Sequence, residues 1–295
     1  MHYDYFATLR LNKEKNMRRL NIFKYKHVSE DAIQSGFTEL DNITCGWKNG
    51  ELIVIAGRPA MGKTAFGLSM IKNIAILNRV PVAYFSLEMS TVQFMNRFLS
   101  NISGIERFKS KLYNKKEQIL LDEAEKVIDN APVFLDDTPA LSIYELRTKA
   151  FRLVREYQVK LIIIDYLQLM NAGGMTFGNR EEEVSAITRS LKALSMELNI
   201  PIIAFSQLNR GVESREGING KRPQLSDLRE SRTIEQDADM ICFIHRPEYY
   251  HIYQDEKGND LHGMAEIIVA KNRNGKTGNT LLKFLSDTTS FQNMT

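Results

Sequence analysis

The chain has 295 residues, 43% hydrophobic and 25% charged, with a net charge of +3. These proportions are ordinary for a soluble globular protein and suit one α/β domain with an N-terminal extension. They exclude a global basic field, while the lack of any run of about 18 apolar residues and of a signal-peptide core excludes a helical membrane span and predicts a cytoplasmic protein.

In chain order, residues 1–30 form a basic arm or linker, with seven Lys/Arg against three acids, leaving 32 against 33 in the remainder. Any nucleic-acid site in the main domain, residues 31–295, must therefore be a local patch. The arm reads as a solvated tail, with a nucleic-acid or partner contact as the alternative. Cys45 and Cys242 have no C-x-x-C partner, and buried thiols in a reducing compartment are expected.

The apolar run Leu52–Ala56 leads into Gly57-Arg58-Pro59-Ala60-Met61-Gly62-Lys63-Thr64, and Ala65 opens a helical segment reaching Ile71. This is a complete G-x-x-x-x-G-K-T phosphate-binding loop in its required strand-to-helix setting. Backbone N–H groups of such a loop face the phosphates, Lys63 reaches the β- and γ-phosphates, and the Thr64 hydroxyl holds Mg²⁺. ATP and Mg²⁺ are the cofactors expected, with residues 57–65 as the binding segment.

Further strands are predicted at Val82–Ser86, Val133–Leu135, Leu161–Ile164, Ile202–Phe205, Met240–Ile244 and Ala265–Ala270. The central ones are near-continuous apolar runs, as parallel strands covered on both faces require. Helices are predicted over Ile143–Tyr157 and Glu181–Leu198, the latter with Val184, Ile187, Leu191, Leu194 and Leu198 on one stripe. The alternation implies a P-loop α/β fold, with a mostly parallel twisted sheet between two helical layers and ligands at the carboxyl ends of its strands. Residues 171–180 and 211–223, rich in Gly, Asn and charge, read as mobile loops on the nucleotide side, either ordinary surface or functional.

Three strand ends carry candidate chemistry. Asp165 closes the fourth strand, where a P-loop enzyme keeps its Mg²⁺ carboxylate. Glu88 stands two residues past the second and is the candidate base for the attacking water; without the P-loop it would be only an acid near a helix start. Gln207 follows Ser206 and has an amide suited to a γ-phosphate oxygen, against the alternative of a surface glutamine. Asn274-Gly275-Lys276-Thr277-Gly278 contains G-K-T, but Ala270 occupies the place of the first loop glycine. It reads as a hairpin turn with Lys271, Arg273 and Lys276 projecting from it.

The motifs Gly36-Phe37-Thr38-Glu39-Leu40-Asp41, 57–66, Phe85–Ser90, Ile164-Asp165-Tyr166-Leu167-Gln168-Leu169, Ser206-Gln207-Leu208-Asn209-Arg210, Ser226-Asp227-Leu228-Arg229-Glu230-Ser231 and Ile234-Glu235-Gln236-Asp237-Ala238-Asp239 occur in one order over about residues 35–287. Together they resemble the C-terminal motor domain of DnaB-type replicative helicases. The resemblance implies a RecA-like core assembled as a homo-oligomer, normally a hexameric ring, that translocates 5′ to 3′ on single-stranded DNA using ATP. It implies that Lys63 and Thr64 serve phosphates and Mg²⁺, Asp165 the metal, Glu88 the water and Gln207 the γ-phosphate. Lys271 and Arg273 match the basic pair that reaches a neighbouring subunit's nucleotide. Arg229 and Glu230 match the DNA-backbone loop, and Arg210 precedes a segment facing the ring channel. Arg232 stands where the family has a small residue, commonly Gly, and the arginine either blocks the close backbone approach to phosphate or replaces it with a charged contact. The family's N-terminal helical domain has no counterpart in this sequence, which puts primase contact and ring bracing in question; a helicase loader is a further expected partner. The competing expectations are a RecA-like recombinase or regulatory ATPase, and a DNA-binding or helicase-interacting scaffold that does not unwind.

Overall fold

A computed structural model describes residues 32–106, 113–174, 176–217 and 219–294, excepting the side chains of residues 229–232. The basic arm over residues 1–30 lies outside the described residues. The sheet is built first from β1 (Leu52–Gly57), β2 (Val82–Ser86), β3 (Val133–Asp136), β4 (Leu161–Asp165), β5 (Ile202–Gln207) and β6 (Met240–His245). These lie in the order β3-β2-β4-β5-β1-β6, and every neighbouring pair is parallel. Three antiparallel strands, β7 (Met264–Asn272), β8 (Gly278–Leu285) and β9 (Ser290–Gln292), extend the β6 edge.

Every residue of β1 is buried, because alternate side chains enter two separate cores. Ile53 and Ile55 face a layer containing α1 (Thr38–Thr44), α2 (Lys63–Ile71), α3 (Thr91–Ser103) and α4 (Lys115–Asp129), which contribute Leu40, Phe66, Phe94, Phe98 and Ala124. Leu52, Val54 and Ala56 face α5 (Ile143–Tyr157), α6 (Arg180–Leu198) and α7 (Arg232–Asp237), which contribute Leu146, Ala150, Val184, Ile187, Leu191, Leu194 and Ile234. The stripe expected on α6 is thus its buried face, except that Leu198 is only partly buried.

Local chemistry sets the helix starts. Ser90, Asn114 and Ser142 each accept a backbone N–H bond at the start of α3, α4 and α5, and Gln93, Glu117 and Glu145 reach back to complete capping boxes. Helix α2 packs so closely on the sheet that a Cβ at Gly67 would lie 2.9 Å from the Phe205 ring. The chain enters the sheet at β1, centrally, and α2 carries it past β5 and β4 to β2. The carboxyl ends of β1, β4 and β5 are therefore neighbours, and the site forms at such a reversal in strand order.

Two segments read as mobile loops have defined local contacts. Asn171 bridges to Ser142, and the Ala172 N–H donates to Glu183. Residues 210–214 form a 3-10 turn, followed by Asn219 donating to Glu256 at 2.6 Å and Arg222 paired to both carboxylate oxygens of Glu266. Among the described residues no helix is long and apolar enough to cross a membrane.

Candidate nucleotide site

The turn from β1 into α2 requires unusual backbone. Gly62 has φ +92°, a region that L side chains rarely adopt, and a Cβ there would lie 3.1 Å from the Phe291 ring. Gly57, at the strand end, would place a Cβ 3.3 Å from the Ile244 carbonyl oxygen. Ala60 also has positive φ, at +63°. The first-turn N–H groups of α2 have no acceptors within the helix and carry the positive end of its dipole. Pro59 and Ala60 are exposed at its tip, whereas Met61 and Ala65 are buried against the core.

Lys63 Nζ donates to the carbonyls of Gly57 at 3.1 Å and Arg58 at 3.3 Å, so the lysine folds over the loop that it is expected to serve. Burial lowers its pKa, an effect opposed by the charges of Asp165 and Glu88 nearby. Glu88 itself is exposed beyond β2. The Thr64 hydroxyl donates to Asp165 Oδ2 at 2.6 Å, and the Tyr84 hydroxyl donates to the same oxygen at 2.7 Å. Asp165 Oδ1 is buried with no hydrogen-bond partner among the described residues. Desolvation raises the Asp165 pKa, against the lowering effects of Thr64, Tyr84 and Lys63.

A buried carboxylate with one unpaired oxygen beside a threonine hydroxyl suits Mg²⁺. Among the described residues no cluster of three or more His, Cys, Asp or Glu could hold a metal ion. The sparse donor set suits Mg²⁺, which is bound through one or two carboxylates rather than by an all-protein cage. Thr64 and Asp165 would hold Mg²⁺, which would neutralise charge on the phosphates.

Gln207 is exposed at the end of β5, and Gln168 sets its backbone: the Gln207 N–H donates to Gln168 Oε1 at 3.2 Å, and Gln168 Nε2 donates to Ser206 Oγ at 2.9 Å. Gln207 and Arg210 line one hollow of about 330 Å³ together with Arg58, Tyr166 and Gln168. Tyr84 and Gln168 were not singled out from the sequence. Tyr84 lies inside an apolar strand, and nothing near it in sequence reveals a partner 81 residues away.

Three basic side chains near the site are held by acceptors of their own chain. The Arg58 guanidinium is taken up by the segment after β5: Nη1 donates to the Leu208 carbonyl at 2.7 Å and Nε to Glu213 at 2.9 Å. A buried guanidinium must find acceptors, and the backbone after β5 supplies them. Lys271 and Arg273 do not project freely from the β7–β8 hairpin. Lys271 Nζ donates to the carbonyls of Glu235 and, at 2.7 Å, Ala238, while Arg273 donates to Asp239 Oδ1 at 3.2 Å and to the Gln236 carbonyl. These acceptors are carbonyls left unpaired at the end of α7 and the carboxylate just beyond it. Lys276 remains exposed. The side chains of Arg229, Glu230 and Arg232 lie outside the described residues, although their backbone runs through a 3-10 segment, Leu225–Ser231, into α7.

The DnaB-like helicase C-terminal domain model matches residues 32–293. The chain is 43% identical over 266 residues to the replicative DNA helicase DnaB of Geobacillus stearothermophilus, and 42% identical over 265 residues to the replicative DNA helicase DnaC of Bacillus subtilis. Each match covers 89% of this chain but 57% of the relative, so the chain spans little more than half the length of these proteins. Among solved structures, an isolated ATPase domain is 33% identical with a TM-score of 0.82, covering 98% of both chains. A DnaB-like replicative helicase, described with its interactions with primase, is 32% identical with the same TM-score, covering all of this chain and 68% of that one. With a RecA-like sheet and a matching family model over nearly its whole described length, the chain belongs to the DnaB-like helicase C-terminal domain family.

Proposed function

We propose that residues 31–295 are the ATP-hydrolysing motor of a replicative DNA helicase, which translocates 5′ to 3′ on single-stranded DNA as a cytoplasmic hexameric ring, with residues 1–30 as its linker arm. The observation that carries this reading is Thr64 and Asp165 joined at 2.6 Å beside Lys63, at strand ends that also bring in Gln207. The phosphates of ATP would lie on the loop N–H groups and α2, with Lys63 exchanging its carbonyl contacts for phosphate oxygens. Glu88 would accept the proton of the attacking water, and Gln207 would donate to the γ-phosphate. Lys271 and Arg273 of a neighbouring subunit would stabilise the charge that develops on the transferred group. A guanidinium supplied in this way is worth roughly 10³ to 10⁵ in rate in related phosphoryl transfer.

Arg210, Arg229, Glu230 and Arg232 would line the DNA path. Contacts of this kind follow the backbone, so affinity should fall steeply with salt. Primase and a helicase loader are the partners suggested by the family. The test is ATP hydrolysis with and without single-stranded DNA, followed by strand separation on a 5′-tailed fork. DNA-stimulated hydrolysis with unwinding supports the reading; hydrolysis without unwinding at any protein concentration favours a regulatory ATPase. For the shared site, Lys63→Ala and Arg273→Ala subunits are mixed. Activity above that of either mutant alone supports it, and no gain in demonstrably mixed rings refutes it.

A further inference from the structure

The segment following β5 is bonded on both sides. Toward the phosphate loop, the Leu208 N–H donates to the Gly57 carbonyl at 3.3 Å, Arg58 Nη1 donates to the Leu208 carbonyl at 2.7 Å, and Arg58 pairs with Glu213 at 2.8 Å. Toward the Leu225–Ser231 segment, the Asn209 N–H donates to the Asp227 carbonyl at 3.2 Å and Arg215 pairs with the Asp227 carboxylate at 2.9 Å. Arg215 also donates to the Arg222 carbonyl at 3.0 Å, and the Gln224 N–H donates to Asp227 at 2.7 Å. Residues 208–215 thus form a bar held by backbone hydrogen bonds at Leu208 and Asn209 and by two ion pairs at Glu213 and Arg215. The 3-10 turn over residues 210–214 carries Glu213 close to Arg215, so the two pairs sit on one short rigid element.

We infer that Glu213 is a positioning residue which, through Arg58 and the Arg215–Asp227 pair, relays the state of the phosphate loop to the segment carrying Arg229 and Glu230. The inference rests on the functional reading above and adds an intrasubunit route to it. Arg58 is a residue of the loop itself, with its side chain only 6% exposed, so a loop that closes on a triphosphate moves the guanidinium with it. The guanidinium grips Leu208 and Glu213 together, so the bar moves as a unit. Asp227, whose side chain is 12% exposed, receives that motion two residues before Arg229. Gln207, adjoining Leu208, would add the direct signal of a γ-phosphate to the same bar.

Contact alone does not establish coupling, so the test is a double-mutant cycle on the full chain. Binding of a labelled oligonucleotide is measured at fixed salt with ADP and with a non-hydrolysable ATP analogue, for wild type, Glu213→Gln, Asp227→Asn and the double variant. The wild-type ratio of the two affinities is expected at about fivefold or more, within the usual range of coupling between sites. Each single variant should bring that ratio close to one while changing affinity in ADP by less than about twofold, and the double variant should lose no more than the worse single. A ratio kept in Glu213→Gln, or losses that multiply in the double variant, overturns the relay. Glu213 is 41% exposed, so its variant should fold; the reciprocal ratio, by which DNA tightens analogue binding, must show the same loss in that variant alone. A wild type whose ATPase ignores DNA and whose DNA binding ignores nucleotide overturns the functional reading, and the relay with it. A DNA-responsive wild type with an equally responsive Glu213→Gln overturns the relay only.

Discussion

Tyr84→Phe isolates one bond to the buried carboxylate at the end of β4. The hydroxyl is buried at 0% exposure and donates at 2.7 Å to Asp165 Oδ2, which also accepts from Thr64 at 2.6 Å. Hydrogen bonds to charged groups contribute about 1.5–3 kcal/mol net, and the removed oxygen leaves only a small void. In a domain of this size about 1 kcal/mol shifts the melting temperature by roughly 2–4 °C, so a fall of about 3–12 °C is expected without nucleotide. The pH dependence gives a sharper criterion. Burial raises the Asp165 pKa above its unfolded value, so the folded state holds that proton more tightly, and Asp165 opposes folding most fully above its folded pKa. The Tyr84 bond lowers that pKa, so its loss raises it further. The difference in stability between wild type and Tyr84→Phe should be largest at neutral pH and shrink on acidification through the raised carboxylate range. Thermal melts of both proteins across that range, paired with Mg·ATP titrations at neutral pH, measure it; nucleotide binding should weaken as the carboxylate loses its orientation. A difference that stays constant or widens on acidification refutes the assignment of the bond to ionised Asp165.

Gly62→Ala forces a side chain into the left-handed region at φ +92° and within 3.1 Å of the Phe291 ring. It should cost about 1–2 kcal/mol of stability and weaken ATP binding; an unchanged melt and titration would mean that the loop does not need this conformation. His245 is buried and its pKa is lowered from 6.5 to about 4 by desolvation. The unfolded chain therefore binds the proton first, and stability on the order of 3 kcal/mol should be lost as pH falls through that interval. Urea denaturation across the interval should show this loss in wild type and a shallower one in His245→Asn; equal slopes refute it. Burial pushes the Cys242 thiol up to about 12, whereas Cys45 is exposed. Iodoacetamide should therefore label native protein once, and labelling of native Cys45→Ser would contradict the burial of Cys242.

The strands legible in the sequence were those buried on both faces. Each of the seven expected runs is a strand, and all but β2 extend one or two residues further at an end, as in β5, which continues through Ser206 and Gln207. The two strands not expected, β8 and β9, have weaker patterns. In β8 the inward positions include polar Thr280 while Leu281 points outward at 39% exposure, which blurs the alternation, and β9 has only three residues. Helix α4 hides its buried stripe of Leu121, Ala124 and Ile128 among Ile119, Leu120 and Val127, all exposed. Its capping box, Asn114 to Glu117, was the stronger local signal.

The candidate site was legible as residue types at strand ends, but its cation contacts were not. Lysine and arginine have only donors, and the acceptors that satisfy them are often carbonyls, which every residue carries and no motif marks. Arg58 finds Glu213 155 residues away, and Arg273 finds Asp239 across 34. Lys63, Arg58, Lys271 and Arg273 all have partners within their own chain. Had Arg273 been buried and unpaired, its burial would oppose folding of the single chain by the full desolvation of a charge. With Asp239 and the end of α7 as acceptors, the proposed move to a neighbour's phosphate would exchange one anionic environment for another, and only the difference between them would have to be supplied. The same would hold for Lys63 in the proposed exchange of its loop carbonyls for a triphosphate. In the proposed motor, contacts much stronger in one state than in the other would hold it there, so that reading requires Arg273 and Lys63 to be nearly balanced between their partners in this chain and a phosphate.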